Sequence, residues 1–532
     1  MTEPIGHLSE GNRPTVKLVH LACAAGVGLP LAGCTLGPDF AEPSLFAPQT
    51  WFASRPPPPK VASRTAPEPV DPNWWRLFND PVLTELAQQV AASNLDVRLA
   101  TIRLAESRYQ RGIAGASQFP NLNGNGSYTR EKISDEGVAA LLAPSGGSTT
   151  SSTNGLGGTS SSIPTQGISS STVPAFDLYQ AGFDASWEAD LWGRVRRTVE
   201  SADASLLASA ESRRNTLLTS LAELARDYIQ LRGQQRELAI ARETLVSEQQ
   251  SLTLTQQRQR GGLTTQLDVS NAAAQLATTA AEIPQREQSI AVSINALSLL
   301  LGETPGALTA KLATPQPVPP VPPVVPVGLP SELAKRRPDI RQAEAQLHAA
   351  TADIGAAEAD FFPKLTLSGS VGLQSLQFKN LGTWGAQQYS VGPSLTLPIF
   401  EGGQLKYTLD LRKAQQQEAA VTYQQTVLRA FHDVDNALTA YAAEQQRRDQ
   451  LAKAVEQSRQ ALDLARQQYA QGLTNFLDVL TAQRTLFSDE QQYADSTTTV
   501  STNLVQLYKA LGGGWEGSFP RNGAAERAPH LF

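Results

Sequence analysis

The sequence predicts an α+β membrane protein built from two diverged copies of one unit, each a β-hairpin continued by long antiparallel helices. Three observations carry that prediction. Of 34 prolines, ten lie in 38–72 and nine in 305–330, while 175–283 and 399–519 contain none. The stretch Gly262-Leu263-Thr264-Thr265-Gln266-Leu267-Asp268-Val269 recurs 210 positions later as Gly472-Leu473-Thr474-Asn475-Phe476-Leu477-Asp478-Val479. Short segments beside the long helical stretches alternate between apolar and polar residues. Proline disrupts helix interiors, so the empty spans are where long helices can run. A repeated turn implies a repeated hairpin, and alternation implies strands with one apolar and one polar face.

Composition narrows the class. At 41% hydrophobic and 18% charged, the chain is too apolar for disorder and too polar for a multi-span helical membrane protein. After the N-terminus no run of residues is long and apolar enough for a transmembrane helix. Lys+Arg 44 against Asp+Glu 50, without a basic block, points away from nucleic acid. Two cysteines and five histidines leave almost no material for a metal cluster. No metal site and no cofactor is expected.

Taken in order, residues 1–33 read as a signal peptide: Arg13 and Lys17, an apolar run from Leu18 to Leu31, then small residues before Cys34. Leu31-Ala32-Gly33-Cys34 resembles the lipobox of bacterial lipoproteins, which implies a covalent lipid on Cys34. Thr35 after it, in place of aspartate, favours the outer membrane in that class. Proline-rich 34–80 is a tether from that anchor. The first repeat, 81–301, comprises a helix near 81–118, a β-hairpin at 119–191, a long helix from Gly193 to Arg260 and a return helix near 265–301 that Pro284 kinks. A Ser/Thr/Gly-rich insertion at 143–174 makes the hairpin's loop long.

Residues 302–330 form a proline-rich linker at mid-height. The second repeat, 331–511, has a helix near 331–361, a β-hairpin at 364–400, a long helix at 404–470 and a return helix at 474–511; 512–532 is a tail. Leu224, Leu231, Leu238, Leu245 and Leu252 form a seven-residue ladder, matched at +210 by Val434, Tyr441, Arg448, Val455 and Leu462. Such a ladder seats a long helix on its neighbours by coiled-coil packing. In the strands, Tyr179, Ala181, Phe183, Ala185, Trp187, Ala189 and Leu191 alternate with polar or small residues. Leu365, Leu367, Val371 and Leu373 do likewise, as do Tyr389, Val391, Leu395, Leu397 and Ile399. The segment 121–131 alternates less clearly, around Leu122 and Tyr128. This is the pattern of strands facing lipid on one side and water on the other; a soluble sheet with one core face alternates in the same way.

Length arithmetic joins these parts. The 68 residues from Gly193 to Arg260 span about 100 Å as helix, and the two shorter helices on either side of the linker retrace that distance. Four strands cannot close a membrane barrel, since the smallest have about eight, and open edges in lipid leave backbone groups unsatisfied. The chain must oligomerise. A dimer or anything larger satisfies the argument; three chains make a twelve-stranded barrel with an aqueous lumen.

Further motifs carry a resemblance: Gly37-Pro38-Asp39-Phe40, Trp74-Trp75-Arg76-Leu77-Phe78, Leu329-Pro330-Ser331, Arg336-Arg337-Pro338-Asp339-Ile340-Arg341, Phe361-Phe362-Pro363 and Leu397-Pro398-Ile399-Phe400-Glu401-Gly402-Gly403. With the two Gly-Leu-Thr turns they resemble the outer-membrane factors of the TolC superfamily, specifically the OprM/NodT-type lipoproteins of resistance-nodulation-division efflux systems. The resemblance covers about 34–515 and implies a homotrimer: a twelve-stranded barrel in outer-membrane lipid continued by a periplasmic helical tunnel. Its implied partners are a periplasmic adaptor (membrane fusion) protein and an inner-membrane pump.

Gly262 and Gly472 are expected to end the long helices in left-handed turns, and Thr264 and Thr474 to cap the returning helices. The resemblance adds adaptor docking at Gly262, Leu263, Thr264, Gly472, Leu473 and Thr474. Asp478 matches an aspartate that rings the closed periplasmic entrance in TolC-like proteins; interaction with a helix N-terminus explains the same residue. Thr481 stands where a second acidic residue is common, so a single acidic constriction would follow. On the polar strand face, Asp184, Glu188 and Asp190 are expected to make the lumen acidic. His432-Asp433-Val434-Asp435 has catalytic residue types, but consecutive helix positions do not face each other. No phosphate-cradling loop or nucleophile elbow occurs, so no enzyme is expected. Two alternatives stay open: a lipid-anchored periplasmic coiled-coil scaffold with a soluble sheet, and a type I secretion channel.

Overall fold

The computed structural model describes residues 35–43, 51, 62–132 and 175–519. Cys34, the 143–174 insertion and the end of the tail lie outside them. Strand β1 (Arg64–Ala66) pairs in parallel with β4 (Val324–Pro326) of the linker. The segment expected as a tether is therefore partly built into the body of the molecule: Trp74, Trp75 and Phe78 are buried in the main core.

The helix expected over 81–118 is two helices, α1 (Pro81–Ser93) and α2 (Leu95–Ala116). Asn94 separates them. Its backbone is extended, and its Oδ1 accepts from Asp96 N and Val97 N, both at 3.0 Å. Its Nδ2 donates to Leu300 O at 2.8 Å. An asparagine that caps one helix and docks on the end of another outweighs helical continuity.

Strands β2 (Asn121–Glu131) and β3 (Phe176–Ala189) lead into α3 (Arg194–Arg260), and α4 (Gln266–Leu300) returns as one helix through Pro284. After the linker, α5 (Pro338–Ala359) starts later than expected. Arg337 precedes a proline and is extended, the conformation such residues favour. Strands β5 (Lys364–Ser375) and β6 (Gln387–Thr396) follow, and β6 stops short of Ile399. Helices α6 (Gln404–Gln471) and α7 (Phe476–Leu511) complete the second hairpin.

The sheet order is β2-β3-β5-β6, antiparallel throughout. Its register sets Tyr128 opposite Tyr179, Phe183 opposite Val371, and Val371 opposite Tyr389. The apolar residues thus share one face. Asp184, Ser370 and Ser390 line up on the other. The apolar face is bare: Tyr389 is 84% exposed and Val391 76%. A soluble sheet would bury that face. No described helix is long and apolar enough to cross a membrane.

Side by side, the upper helices run α2-α3-α5-α6 and the lower ones α4-α3-α7-α6. The main core lies where they meet the linker and joins Trp74, Phe78, Leu224, Tyr228, Leu231, Val434, Leu504 and Tyr508. A smaller core near the tips joins Leu252, Leu462, Tyr469, Phe476, Val479 and Leu480.

Candidate functional site

Both helical hairpins end in the same turn. Leu263 N donates to Arg258 O at 2.8 Å and Gly262 N to Gln259 O at 2.9 Å; Leu473 N donates to Gln468 O at 2.9 Å and Gly472 N to Tyr469 O at 3.0 Å. This pair of bonds closes a helix when one residue turns left-handed. Gly262 has φ 71° and Gly472 φ 78°, where a side chain would be strained.

The caps sit one residue beyond the expected threonines. Thr265 accepts from Asp268 N at 3.3 Å, and Asn475 accepts from Asp478 N at 3.1 Å. Thr264 and Thr474 instead donate their hydroxyls to Asp268 Oδ2 and Asp478 Oδ2. Sequence reasoning placed an oxygen at the right end of the helix but not the extended residue, since only the backbone decides which position is half-in. Replacing Thr265 or Asn475 by alanine is expected to cost about 1 kcal/mol of local helix stability. Faster hydrogen exchange at the amides of Asp268 and Asp478 would report it.

Each tip displays leucines to solvent: Leu263 and Leu267 on one, Leu473 and Leu477 on the other are all exposed. Beneath them Arg258 crosses between hairpins, donating to Ala470 O at 3.0 Å with its guanidinium 4.7 Å from the Tyr469 ring centroid. Tyr469 packs edge-on to Phe476 at 5.7 Å. No motif marks Arg258 or Tyr469, although Tyr469 continues the seven-residue ladder one step past Leu462. Asp478 itself is exposed, and its bonds to Thr474 and Asn475 are those of a helix first turn.

The acids of the polar strand face do not form one free cluster. Asp184 accepts from Asn125 Nδ2 at 2.8 Å. Glu188 is held by Arg194 through Nε at 2.8 Å and Nη2 at 2.6 Å. Asp190 lies past the end of β3, accepting from Val195 N at 3.2 Å and Arg196 N at 2.9 Å. Glu188 and Asp190 are thus each paired with an arginine, Arg194 and Arg196, and Asp190 also anchors the start of α3. At that same junction Leu36 N donates to Trp192 O at 3.1 Å, so the chain just after Cys34 runs against the base of the sheet. His348 of α5 stacks on Phe40 at 4.4 Å and bonds Glu200 at 2.9 Å. No group of acidic, histidine or cysteine residues suited to a metal occurs among the described residues.

Higher up, a polar cleft of about 1070 Å³ lies between α4 and α7 over α3, lined by Glu237, Glu282, Arg286 and Asp495 among others. Burial and then Asp495 push the Glu237 carboxyl up to about 7 from an ordinary 4.5, with Arg286, 2.5 Å away, opposing. A carboxyl that holds its proton more tightly when folded stabilises fully below its unfolded value and loses that contribution as pH rises through the folded one. Thermal stability is therefore expected to fall between pH 4.5 and about 7, less so in Glu237→Gln; equal slopes in the two proteins would refute this.

The geometry has counterparts among known proteins. The family profile "Outer membrane efflux protein" matches residues 86–303 and 329–513. The chain is 32% identical to outer membrane protein OprJ of Pseudomonas aeruginosa over 492 residues, 92% of this chain and 95% of that one. It is 31% identical to the probable outer membrane lipoprotein SilC of Salmonella typhimurium, over 91% of this chain and 96% of that one. The solved outer-membrane channel OprN superposes with a TM-score of 0.80 at 33% identity, covering 91% of this chain and all of that one. The chain belongs to the outer membrane efflux protein family: it is an outer-membrane efflux channel, not an enzyme.

Proposed function

We propose that three copies of the chain assemble into one conduit, a twelve-stranded barrel in the outer membrane continued by a helical tunnel across the periplasm. The observation that carries this reading is the agreement of edges. The sheet begins at β2 and ends at β6, the upper helices begin at α2 and end at α6, and the lower ones begin at α4 and end at α6. At every height one edge comes from the first repeat and the other from the second. Copies therefore add head to tail, and such an interface makes a ring where its rotation closes, here after three copies. A closed ring removes the unpaired strand edges that lipid does not tolerate, and the bare apolar face becomes the lipid face.

In this reading Cys34 carries the lipid anchor, an expectation supported by the lipoprotein name of SilC. The exposed leucines at 263 and 473, on their glycine turns, dock a periplasmic adaptor, and an inner-membrane resistance-nodulation-division pump supplies the energy. Three Asp478 carboxylates converge on the axis and narrow the periplasmic entrance. Flow through the conduit is passive. Native mass measurement in detergent should give a trimer, and the protein in a planar bilayer should conduct. A monomer that stays soluble without detergent and never conducts would overturn the proposal.

A further inference from the structure

The polar face of the sheet holds little charge. Level with Asp184 of β3 stand Asn123 of β2, Ser370 of β5 and Ser390 of β6, all neutral. One rung further from the helices Gly182 faces Gly372, so neither β3 nor β5 places a side chain over the carboxylate from that side. Where the strands meet the helices, Glu188 is matched by Arg194 at 2.6 Å and Lys364 by Asp360 at 2.8 Å. Glu131 lies at the far end of the sheet, opposite Phe176 and eight positions along β3 from Asp184. Between those ends, Asp184 is the one ionisable side chain on the polar face of the described strands.

No cation offsets it. Asp184 Oδ1 accepts from Asn125 Nδ2 at 2.8 Å, a neutral donor on β2, and no arginine or lysine among the described residues pairs with it. Its carboxylate therefore keeps its full charge towards the solvent on this face. Asn125 holds the side chain in place without neutralising it.

A closed barrel turns that one charge into a ring. Twelve strands about 4.8 Å apart and tilted by about 40° enclose a backbone cylinder roughly 12 Å in radius. Carboxylates reaching inward from that wall come within about 10 Å of the axis. The Debye length is about 10 Å in 0.1 M salt and about 3 Å in 1 M. Their field thus spans the lumen in dilute salt and is confined to the wall in concentrated salt. The low-dielectric barrel wall focuses it on the water inside.

We propose that Asp184 sets the charge preference of the membrane barrel, as a ring of three carboxylates that passes cationic solutes ahead of anionic ones. The proposal rests on the trimeric channel reading, in which three copies bring this residue to one height. It adds a second level of discrimination, set in the barrel and independent of the periplasmic entrance. The charge is the working part, and the Asn125 contact only orients it.

The test is the reversal potential of the full-length protein in planar bilayers under a KCl gradient, measured in an Asp478→Asn background that silences the entrance carboxylates. Near about 0.1 M salt, adding Asp184→Asn should lower the cation-to-anion permeability ratio about three-fold, and near about 1 M the two proteins should be alike. The asparagine keeps an acceptor for Asn125, so native mass and melting midpoint should not change. Asp184→Glu should preserve the ratio and Asp184→Lys should invert it. Asn125→Ala, which removes the contact and leaves the charge, should also preserve it; a merely structural role for Asp184 would not separate these variants. An unchanged ratio in Asp184→Asn, a loss of equal size at both salt concentrations, or an equal loss in Asn125→Ala would each overturn the assignment while leaving a conducting wild type intact. A wild type that never conducts would overturn the channel reading along with it.

Discussion

Leucine at position 211 is expected to lower the unfolding free energy of the protein by about 3–5 kcal/mol, read as a shift in its denaturant midpoint. Glu211 of α3 is fully buried. Its Oε1 accepts from Arg214 Nη1 at 2.9 Å and from Arg341 Nε of α5 at 2.8 Å. Arg214 is itself buried, donates to Phe519 O at 3.2 Å, and stands 5.2 Å from the Trp515 ring. The carboxylate therefore neutralises a cation that ties α3 and α5 to the C-terminal segment. Removing it strands that cation away from water, and the large term is the stranded charge rather than the lost bonds. Glu211→Gln, which keeps one acceptor, should lose less. Replacing Arg214 by methionine in the leucine background should recover part of the loss, because the unpaired charge goes with it. A leucine variant as stable as wild type would show that the trio contributes nothing.

Alanine in place of Trp74 should cost a similar amount, about 3–5 kcal/mol, by a different route. The indole is wholly buried, stacks on Tyr508 at 5.5 Å with the planes 9° apart, and donates from Nε1 to Gly513 O at 3.1 Å. Trp75 and Phe78 meet it edge-on at 5.8 and 6.5 Å. Truncation leaves a cavity at the point where the segment before α1 grips the end of α7, and it orphans a backbone carbonyl. Trp74→Phe should lose less, since stacking on Tyr508 survives. Unfolding measured at both variants, with the native mass of the assembly checked in parallel, separates loss of the core from loss of assembly. Equal stability of Trp74→Ala and wild type would mean that the segment before α1 is not part of the cooperative core.

Residues whose chemistry acts locally were legible without coordinates. Alternation placed Phe183, Val371 and Tyr389 on one face because side chains in a strand point to opposite sides in turn. The ladder through Leu224 and Leu231 announced packing because a seven-residue repeat holds one stripe against a neighbour. Glycine at 262 and 472 marked the turns because few other residues accept a left-handed backbone. The tip caps were only half legible. Thr264, Thr265 and Asp268 can all exchange hydrogen bonds at that helix end, and composition does not say which residue is extended.

The sequence by itself determined the two repeats, the extents of their long and returning helices and the polarity of each strand face. Each follows from the period of a pattern, and none depends on which elements touch. What tertiary structure alone decided are relations between distant residues. Asn94 stops a helix because Leu300 lies beside it, and Glu188 is matched because Arg194 folds back onto it. Such contacts join positions whose separation in sequence bears no relation to their distance in space. A charge or an amide is read correctly only when its surroundings, and the water excluded from them, are known.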